Sequence, residues 1–204
     1  MSKDFCKYID VHLHLQDGQF DDDREQVITA AAGAGVEFMF CCGSRQSDWQ
    51  GVIDLAARHK QIIPFIGLHP WFVDNITPFW LSDLRKIVKS IGCGIGEIGL
   101  DRLLTKADFG LQKEVFVEQV LLAKEFDKPV SIHCLNAYGH LKDILEPLSP
   151  LPQGSFIHSY SGSPEMIAEF IKLRLKFSYN AKITDKNNRR YRVALAATPL
   201  ESLL

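Results

Sequence analysis

The sequence predicts an α/β protein of the (β/α)8 TIM-barrel type, and three observations lead to this expectation. Short runs rich in Ile, Val and Phe alternate with segments of helical periodicity at intervals of roughly 25–35 residues. Alternating strands and helices predict parallel strands joined by right-handed crossovers. Seven such units favour a barrel over an open doubly wound sheet, whose GxGxxG fingerprint is absent.

Seven runs rich in Ile, Val and Phe are predicted to form the strands. In chain order they are Lys7–Leu15, Val36–Gly43, Ile62–His69, Cys93–Asp101, Pro129–Cys134, Ser155–Ser161 and Leu175–Ile183. An eighth strand should begin near Ser202–Leu204, where the sequence stops. We therefore expect a single barrel domain over residues 1–204 whose eighth strand is cut off.

Amphipathic helices are predicted between the strands. Asp21–Ala32 opens with three acidic residues, which suits the positive end of a helix dipole. Leu111–Phe126 is the longest helical segment, and it places Phe116, Val120 and Ala123 on one stripe. The segment GCGIGEIG is rich in glycine but lies within a strand run, so it does not predict a nucleotide-binding loop.

The composition excludes several classes of protein. The 204 residues are 46% hydrophobic and 24% charged, with a formal net charge of −2, so the chain can bury one core and has no bulk positive field for nucleic acid. The net charge does not exclude a local basic groove. No apolar run approaches the roughly 20 residues of a membrane helix, and the N-terminus lacks the apolar region of a signal peptide.

The cysteines indicate a reducing compartment. The chain has five, which is an odd number, and none of them forms a CxxC pair. Neither a disulfide framework nor a zinc ribbon is therefore predicted. We expect a cytoplasmic protein that does not bind membranes.

Two histidines on the first predicted strand suggest a metal site. His12 and His14 lie two residues apart, so both side chains leave the same face of the strand, together with Asp10. Two buried imidazoles without a metal would be costly, because each ring needs two hydrogen-bond partners. In a barrel the active site lies at the carboxyl ends of the strands. We interpret the pair as metal ligands, with a solvated strand end as the alternative.

Three further residues stand at comparable positions. Glu97 lies inside the otherwise uncharged run IGEIGL, and a buried carboxylate is costly unless it is paired or binds metal. A bridge between two metal ions would explain it. His133 and His158 close the next two predicted strands. Either alone is typical of a hydrogen-bonded core histidine, but the set at matching strand ends indicates a metal centre.

Other polar and aromatic residues have two interpretations each. His69, in GLHP at the end of the third predicted strand, is expected to contact substrate or to orient a ligand, and a structural loop histidine is the alternative. Ser161 precedes a predicted helix, where its backbone N–H could bind a phosphate or the segment could simply cap the helix. Trp49, Trp71 and Trp80 are expected to serve in packing rather than to stack on bases.

The motifs DVHLHL, GLHPW, GEIGLD, PVSIHC and HSYSGS, in this order and at these spacings, resemble those of the TatD-type metal-dependent deoxyribonucleases, which lie within the amidohydrolase-like barrels. The resemblance covers essentially the whole chain. It implies that His12 and His14 bind one divalent metal ion, that Glu97 bridges two, and that His133 and His158 bind the second.

The resemblance also implies an activity, the hydrolysis of DNA phosphodiester bonds by a metal-activated water. Glu97 and His69 are expected to be catalytic, and His69, Arg102 and Ser161 to contact the substrate. Imidazole and carboxylate ligands suit zinc, manganese, nickel or iron, whereas magnesium would want more oxygen ligands. DNA or another phosphodiester is the expected partner, and a monomer is one candidate for the oligomeric state.

Two departures from the family pattern affect these expectations. Members of the family usually follow the fifth-strand histidine with Ser-Arg, whereas this chain has Cys134 and Leu135. Arg102 could supply the missing cation. So could the basic run that contains Arg189, Arg190 and Arg192, unless that run is a solvated helix face.

The second departure concerns the family's last motif, Glu-Thr-Asp on the eighth strand. Its aspartate ligates the first metal ion and handles the proton of the attacking water, and in the family it follows a segment like PLESLL, with which this sequence stops at Leu204. Three explanations are open: a sequence cut short of its natural end, a truncated and inactive protein, or a partner chain that closes the barrel.

Two other functions are therefore carried as alternatives. One is a hydrolase of another class from the same superfamily, such as a lactonase or an amidase. Many members of that superfamily bridge their metal ions with a carboxylated lysine, whereas this chain offers Glu97, which favours the nuclease. The other is an inactive barrel that binds metal without turnover.

Overall fold

The computed structural model describes residues 7–103 and 107–204 of the chain. Within these residues, seven strands alternate with seven α-helices. The strands are β1 (Tyr8–Leu13), β2 (Val36–Cys42), β3 (Ile62–Phe65), β4 (Ile95–Asp101), β5 (Val130–Leu135), β6 (Phe156–Ile157) and β7 (Lys176–Phe177). The helices are α1 (Arg24–Gly33), α2 (Trp49–Arg58), α3 (Trp80–Ser90), α4 (Phe109–Glu125), α5 (Tyr138–Leu145), α6 (Pro164–Lys172) and α7 (Arg189–Ala197).

The strands pair in sequence order, and every pair is parallel. The order is β1-β2-β3 in one sheet and β4-β5-β6-β7 in the other. A parallel bridge between Phe65 and Gly94 joins the two sheets. A second parallel bridge joins Phe177 to Leu203, where the sequence predicts the eighth strand to begin. Parallel neighbours joined through helices are the repeating unit of a TIM barrel, as predicted.

The hydrophobic core lies around β4 and the helices that pack against it. All seven residues of β4 are buried, including its two carboxylates, Glu97 and Asp101. On α4 the predicted stripe of Phe116, Val120 and Ala123 is buried. Gln119 on the same helix accepts a hydrogen bond from the N–H of Leu68 and donates one to its carbonyl oxygen, at 2.7 and 3.2 Å. These bonds fix the segment that follows β3.

The last two predicted strands are much shorter than expected. β6 ends at Ile157, and Ser159 has a positive φ of 47°, so the chain turns away from the sheet at that point. Beyond β7, Ala181–Thr184 forms a 3-10 helix instead of continuing the strand. The side chain of Asn180 accepts a hydrogen bond from the N–H of Lys182 there, and such local bonds compete with strand pairing.

The helix boundaries also differ from the prediction. α1 begins at Arg24 rather than Asp21, so the three acidic residues precede the helix. Asp21 instead accepts a hydrogen bond from the Arg24 guanidinium at 2.6 Å. α4 begins two residues earlier than predicted, because Asp108 caps it by accepting a hydrogen bond from the N–H of Leu111. No helix among the described residues is long and apolar enough to cross a membrane.

Candidate metal centre

Six polar side chains converge on one cavity of about 470 Å³ at the carboxyl ends of the strands. His12 lies on β1, Glu97 on β4 and His133 on β5, and the other three follow β1, β3 and β6. The six residues are His12, His14, His69, Glu97, His133 and His158. The structure brings together every histidine and the carboxylate that the sequence predicted for the site. Their roles as ligands and catalytic groups stay predictions.

The Glu97 carboxylate lies at the centre of the cluster and is 3% exposed. Its Oε2 atom faces Nε2 of His12 and Nε2 of His14, at 3.3 and 3.1 Å. Its Oε1 atom faces the three other histidines, at 2.6 to 3.4 Å. Burial acts to raise the pKa of Glu97, but the histidines, led by His158, lower it well below its ordinary value. Glu97 is therefore an ionised carboxylate whose two oxygens serve different groups of histidines.

The histidines on the Oε2 side are held with their Nε2 atoms inward. His14 donates its Nδ1 proton to the carbonyl oxygen of Cys42 at 2.7 Å, so in the neutral form of the ring the Nε2 atom carries the lone pair. The Nδ1 atom of His12 lies 3.1 Å from the Ser131 hydroxyl, which can accept its proton in the same way. The two Nε2 atoms are 3.2 Å apart. Two lone pairs this close to a carboxylate need a cation or a proton between them.

On the Oε1 side, His133 is held by Asp101. The Nε2 atom of His133 donates to Oδ2 of Asp101 at 3.1 Å, and its Nδ1 atom faces Oε1 of Glu97 at 3.0 Å. Burial opposes protonation of this ring, but Asp101 and Glu97 outweigh burial and raise its pKa to about 9. In the cation-free protein the ring therefore carries a proton on the side that faces Glu97. A metal ion would displace that proton.

His69 differs from these three because its outer nitrogen accepts a hydrogen bond. The backbone N–H of Trp71 donates to Nδ1 of His69 at 3.1 Å. The proton of the neutral ring is therefore on Nε2, which lies 3.4 Å from Oε1 of Glu97. Burial lowers the pKa of His69 and keeps the ring neutral. The distance from Nε2 of His69 to Glu97 would suit a metal ligand. Because Nε2 carries the proton in this tautomer, however, His69 acts as a hydrogen-bond donor.

His158 has one satisfied nitrogen and one that is not. Its Nε2 atom lies 2.6 Å from Oε1 of Glu97, and its ring stacks on that of His12 with centroids 3.7 Å apart. Its Nδ1 atom is buried and has no hydrogen-bond partner among the described residues. Burial, together with the neighbouring histidines, lowers its pKa to about 3. A neutral, buried imidazole of this kind is available as a ligand.

These donors fit divalent cations. The ligand atoms of His12, His14 and Glu97 lie within 4.8 Å of one another, and so do those of His69, Glu97 and His133. Inward-facing imidazole nitrogens around an ionised carboxylate are what metal coordination satisfies. Outer partners that fix each tautomer, such as Cys42 O and Asp101, are typical of metal-binding histidines.

Two predicted substrate contacts lie outside this cavity. Arg102 packs over the Phe109 ring at 5.3 Å and lies 3.4 Å from Nε2 of His140. Ser161 lines a neighbouring cavity, and both its N–H and its hydroxyl are within hydrogen-bond distance of the Tyr138 hydroxyl, at 2.9 and 3.1 Å. The structure brings neither residue to the carboxylate, and their substrate contacts stay predictions.

The tryptophans, expected to serve in packing rather than in base stacking, differ in how deeply they are buried. Trp49 is 4% exposed and donates to the carbonyl oxygen of Gly67, as an interior residue should. Trp71 is 45% exposed and lines the cavity of the candidate metal centre. His69, two residues before it, faces Glu97 at 3.4 Å and lines the same cavity.

Sequence reasoning missed Ser131, which lies against His12. Ser131 is completely buried on β5 and stands two residues before His133, on the same face of the strand. That spacing in PVSIHC was a signal for a partner inside the site. Asp101 accepts hydrogen bonds from both Nε2 of His133 and the N–H of Leu103, so it joins the cluster to the segment after β4.

Comparison with known proteins gives a consistent result. A family model described as "TatD related DNase" matches residues 9–204. "Uncharacterized metal-dependent hydrolase YjjV" of Escherichia coli is 29% identical over 202 residues, covering 98% of this chain and 78% of the relative. "Uncharacterized metal-dependent hydrolase YabD" of Bacillus subtilis is 30% identical over 198 residues, covering 96% of this chain and 77% of the relative.

A nuclease and a solved structure also match. "3'-5' ssDNA/RNA exonuclease TatD" of Pantoea ananatis is 29% identical over 198 residues, covering 96% of this chain and 76% of the relative. The crystal structure of Escherichia coli YjjV superimposes with a TM-score of 0.92 at 29% identity, covering 98% of this chain and 78% of that one. This similarity confirms the predicted TIM-barrel type of fold.

Proposed function

This chain belongs to the family of TatD-related DNases and is a metal-dependent hydrolase, and from that premise we propose that it hydrolyses phosphodiester bonds of single-stranded DNA. One barrel domain spanning the chain carries the activity. The observation that supports this most strongly is Glu97, a single buried carboxylate whose oxygens face two groups of inward-pointing histidines. A relative of similar identity is named as an exonuclease of single-stranded DNA and RNA.

Two divalent cations would occupy the two sides of Glu97. His12 and His14 would hold the first through Nε2, together with Oε2 of Glu97. His133, through Nδ1, and His158 would hold the second, together with Oε1. Nitrogen and carboxylate donors favour zinc, manganese or nickel over magnesium. When bound, such cations would supply Lewis acidity toward a phosphate oxygen and lower the pKa of a water.

The chain's own groups position the substrate around that centre. His69 is neutral and presents its Nε2–H toward the cavity, so it can donate a hydrogen bond to a non-bridging phosphate oxygen. Asp101 keeps His133 in the tautomer that faces Glu97. Ser131 and the carbonyl oxygen of Cys42 do the same for His12 and His14. The binding geometry is therefore fixed before substrate arrives.

The experiment that tests this proposal measures the release of mononucleotides from a single-stranded oligonucleotide with added manganese or zinc. Wild-type protein should hydrolyse it, and excess chelator or Glu97→Gln should reduce the rate to background. His59→Ala is the matched control, because His59 lies near Glu25, outside the cavity. Rapid hydrolysis of a lactone or an amide without any DNA hydrolysis would overturn the proposal.

The ligand assignment has a separate readout in metal content. His133→Ala should lose one equivalent of bound metal, because it removes the nitrogen that faces Oε1 of Glu97. Unchanged stoichiometry would contradict that assignment. A fully loaded protein that hydrolyses none of these substrates would indicate metal binding without catalysis.

A further inference from the structure

Trp71 is one of two aromatic residues of the cavity wall, with Phe72, that the proposed reaction leaves without a role. It follows His69 and Pro70 at the start of the 3-10 helix Pro70–Asn75. Its side chain is 45% exposed, although it stands beside a nearly fully buried cluster. A large apolar surface of this kind at the mouth of a polar site commonly marks a contact with a ligand.

The indole ring is held rigidly. Its Nε1–H donates to Oδ2 of Asp101 at 2.7 Å, the same oxygen that accepts from His133. The ring meets that of His69 edge to face, with centroids 4.8 Å apart and an interplanar angle of 77°. It meets the ring of His133 at 6.3 Å and 70°. Since no stacked aromatic partner occurs among the described residues, the exposed indole surface is available to a planar ligand.

Trp71 also stands at a defined place relative to the metal centre. Two hydrogen bonds, both to Oδ2 of Asp101, connect it to His133, a proposed ligand. Next to it on the wall, Phe72 lies under the guanidinium of Arg45 at 5.1 Å, and both residues line the same cavity. One cavity therefore holds an aromatic surface for a base, the cation of Arg45 for a backbone phosphate, and the proposed metal centre for the scissile phosphate.

We propose that Trp71 is a stacking platform for an unpaired nucleobase next to the phosphate that is cleaved. The inference rests on the proposed nuclease function and specifies its substrate as a strand with an accessible, unpaired base at the cleaved nucleotide. Stacking tolerates any base because every base has a π-face, so the platform selects for single strands rather than for sequence. A base within a duplex is stacked on both sides and cannot take this position.

The test combines variants with a substrate that lacks the base. Trp71→Ala, Trp71→Phe and wild type are compared on a single-stranded oligonucleotide and on the same strand with an abasic residue at the cleaved nucleotide. Trp71→Ala should lower kcat/KM on the normal strand by about 5-fold to 150-fold, the loss expected for one stacked base. Trp71→Phe should retain most of the rate, and all three proteins should cleave the abasic strand at the same reduced rate.

The comparison also distinguishes stacking from a structural role. Trp71→Phe keeps an aromatic face but loses the hydrogen bond to Asp101. If Trp71→Phe and Trp71→Ala reduce the rates on both strands equally, the residue acts by positioning Asp101 and the stacking proposal is wrong. Phe79→Ala is the matched control, because Phe79 is 69% exposed and lies outside the cavity, and it should leave both rates unchanged.

A binding measurement separates this proposal from the nuclease function itself. Stacking of a base should quench the indole fluorescence when oligothymidylate is added to the metal-loaded protein, and Trp71→Phe should abolish the change. Quenching without hydrolysis of any strand would overturn the nuclease function and leave the platform standing. Hydrolysis with the same rate in wild type and Trp71→Ala would overturn the platform and leave the nuclease function standing.

Discussion

Replacing Asp101 by Asn tests how the protein holds the second side of its metal centre. The side chain of Asp101 has no exposed surface. Its Oδ2 atom accepts from Nε2 of His133 and Nε1 of Trp71, and its Oδ1 atom accepts from the N–H of Leu103. An asparagine offers one acceptor oxygen and one NH2 group. At least one of the three N–H groups that now donate to Asp101 would therefore face the NH2 group of the asparagine and lose its acceptor.

The magnitude follows from that count of acceptors. A buried donor left unpaired costs about 1–3 kcal/mol, so Asp101→Asn should reduce the free energy of unfolding of the metal-free protein by about that amount. The variant also removes the charge that makes His133 a strong base. The affinity of the second metal site should therefore fall roughly 10-fold to 100-fold, as for other outer partners of metal-binding histidines.

Urea denaturation of the metal-free protein and chelator competition for the metal measure the two effects. The N–H groups around Asp101, above all that of His133, outweigh burial and hold its pKa below the usual range. A carboxyl group whose pKa is lower in the folded protein stabilises the fold at pH values above its pKa in the unfolded chain, about 3.9. This stabilisation is lost as the pH falls toward the pKa of the folded protein. The difference between wild type and variant should therefore shrink below about pH 4. Asp54→Asn, at an exposed position on α2, is the control. Equal stability and equal metal affinity in Asp101→Asn would refute the reasoning.

Three other changes have expected outcomes. Ser131→Ala removes the partner of His12 Nδ1 and should weaken the first metal site roughly 10-fold to 100-fold in a chelator titration, whereas Ser90→Ala on α3 should not. Gly99→Ala should destabilise the protein by at least about 3 kcal/mol in urea, because φ is 151° and a Cβ would lie 1.8 Å from a backbone oxygen of β5. Gly33→Ala, with nothing within 4 Å, should stay within about 1 kcal/mol of wild type. Metal at 100 times its dissociation constant should add about 2.7 kcal/mol per site to the free energy of unfolding, and a chelator should remove it.

The sequence predicts the order of elements well because strands and helices differ in hydrophobic period. β2 and β4 are recognisable from their apolar runs, and both form as predicted to within two residues. β6 and β7 form within the runs predicted for them, but their lengths are overestimated, because their pairing is only two residues long and polar segments follow. Local hydrogen bonds, such as that of Asn180 to the N–H of Lys182, compete there with the sheet and leave no periodic signal.

The members of the candidate site were predictable, but the directions of their nitrogen atoms were not. Strand alternation brings His12 and Glu97 to one place, since inward positions repeat every second residue. Which nitrogen faces the carboxylate depends on partners far away in sequence, such as Cys42 for His14. The same applies to His69, whose donor tautomer is set by a backbone N–H two residues later, a bond that only the turn at Pro70 creates.

The charges that line the cavity connect metal binding to the choice of substrate. Three carboxylates, those of Asp17, Asp48 and Glu97, face it, and Arg45 is the only Lys or Arg among the described residues that line it. Without metal the cavity is therefore negative and would repel a phosphodiester. The two proposed cations would reverse the sign, which favours an anionic substrate over a neutral lactone or amide. Bound metal would therefore strengthen the binding of a nucleic acid strand before any chemistry, although the protonated ring of His133 already offsets part of the negative charge in the metal-free protein. Base stacking on Trp71 would add to that attraction.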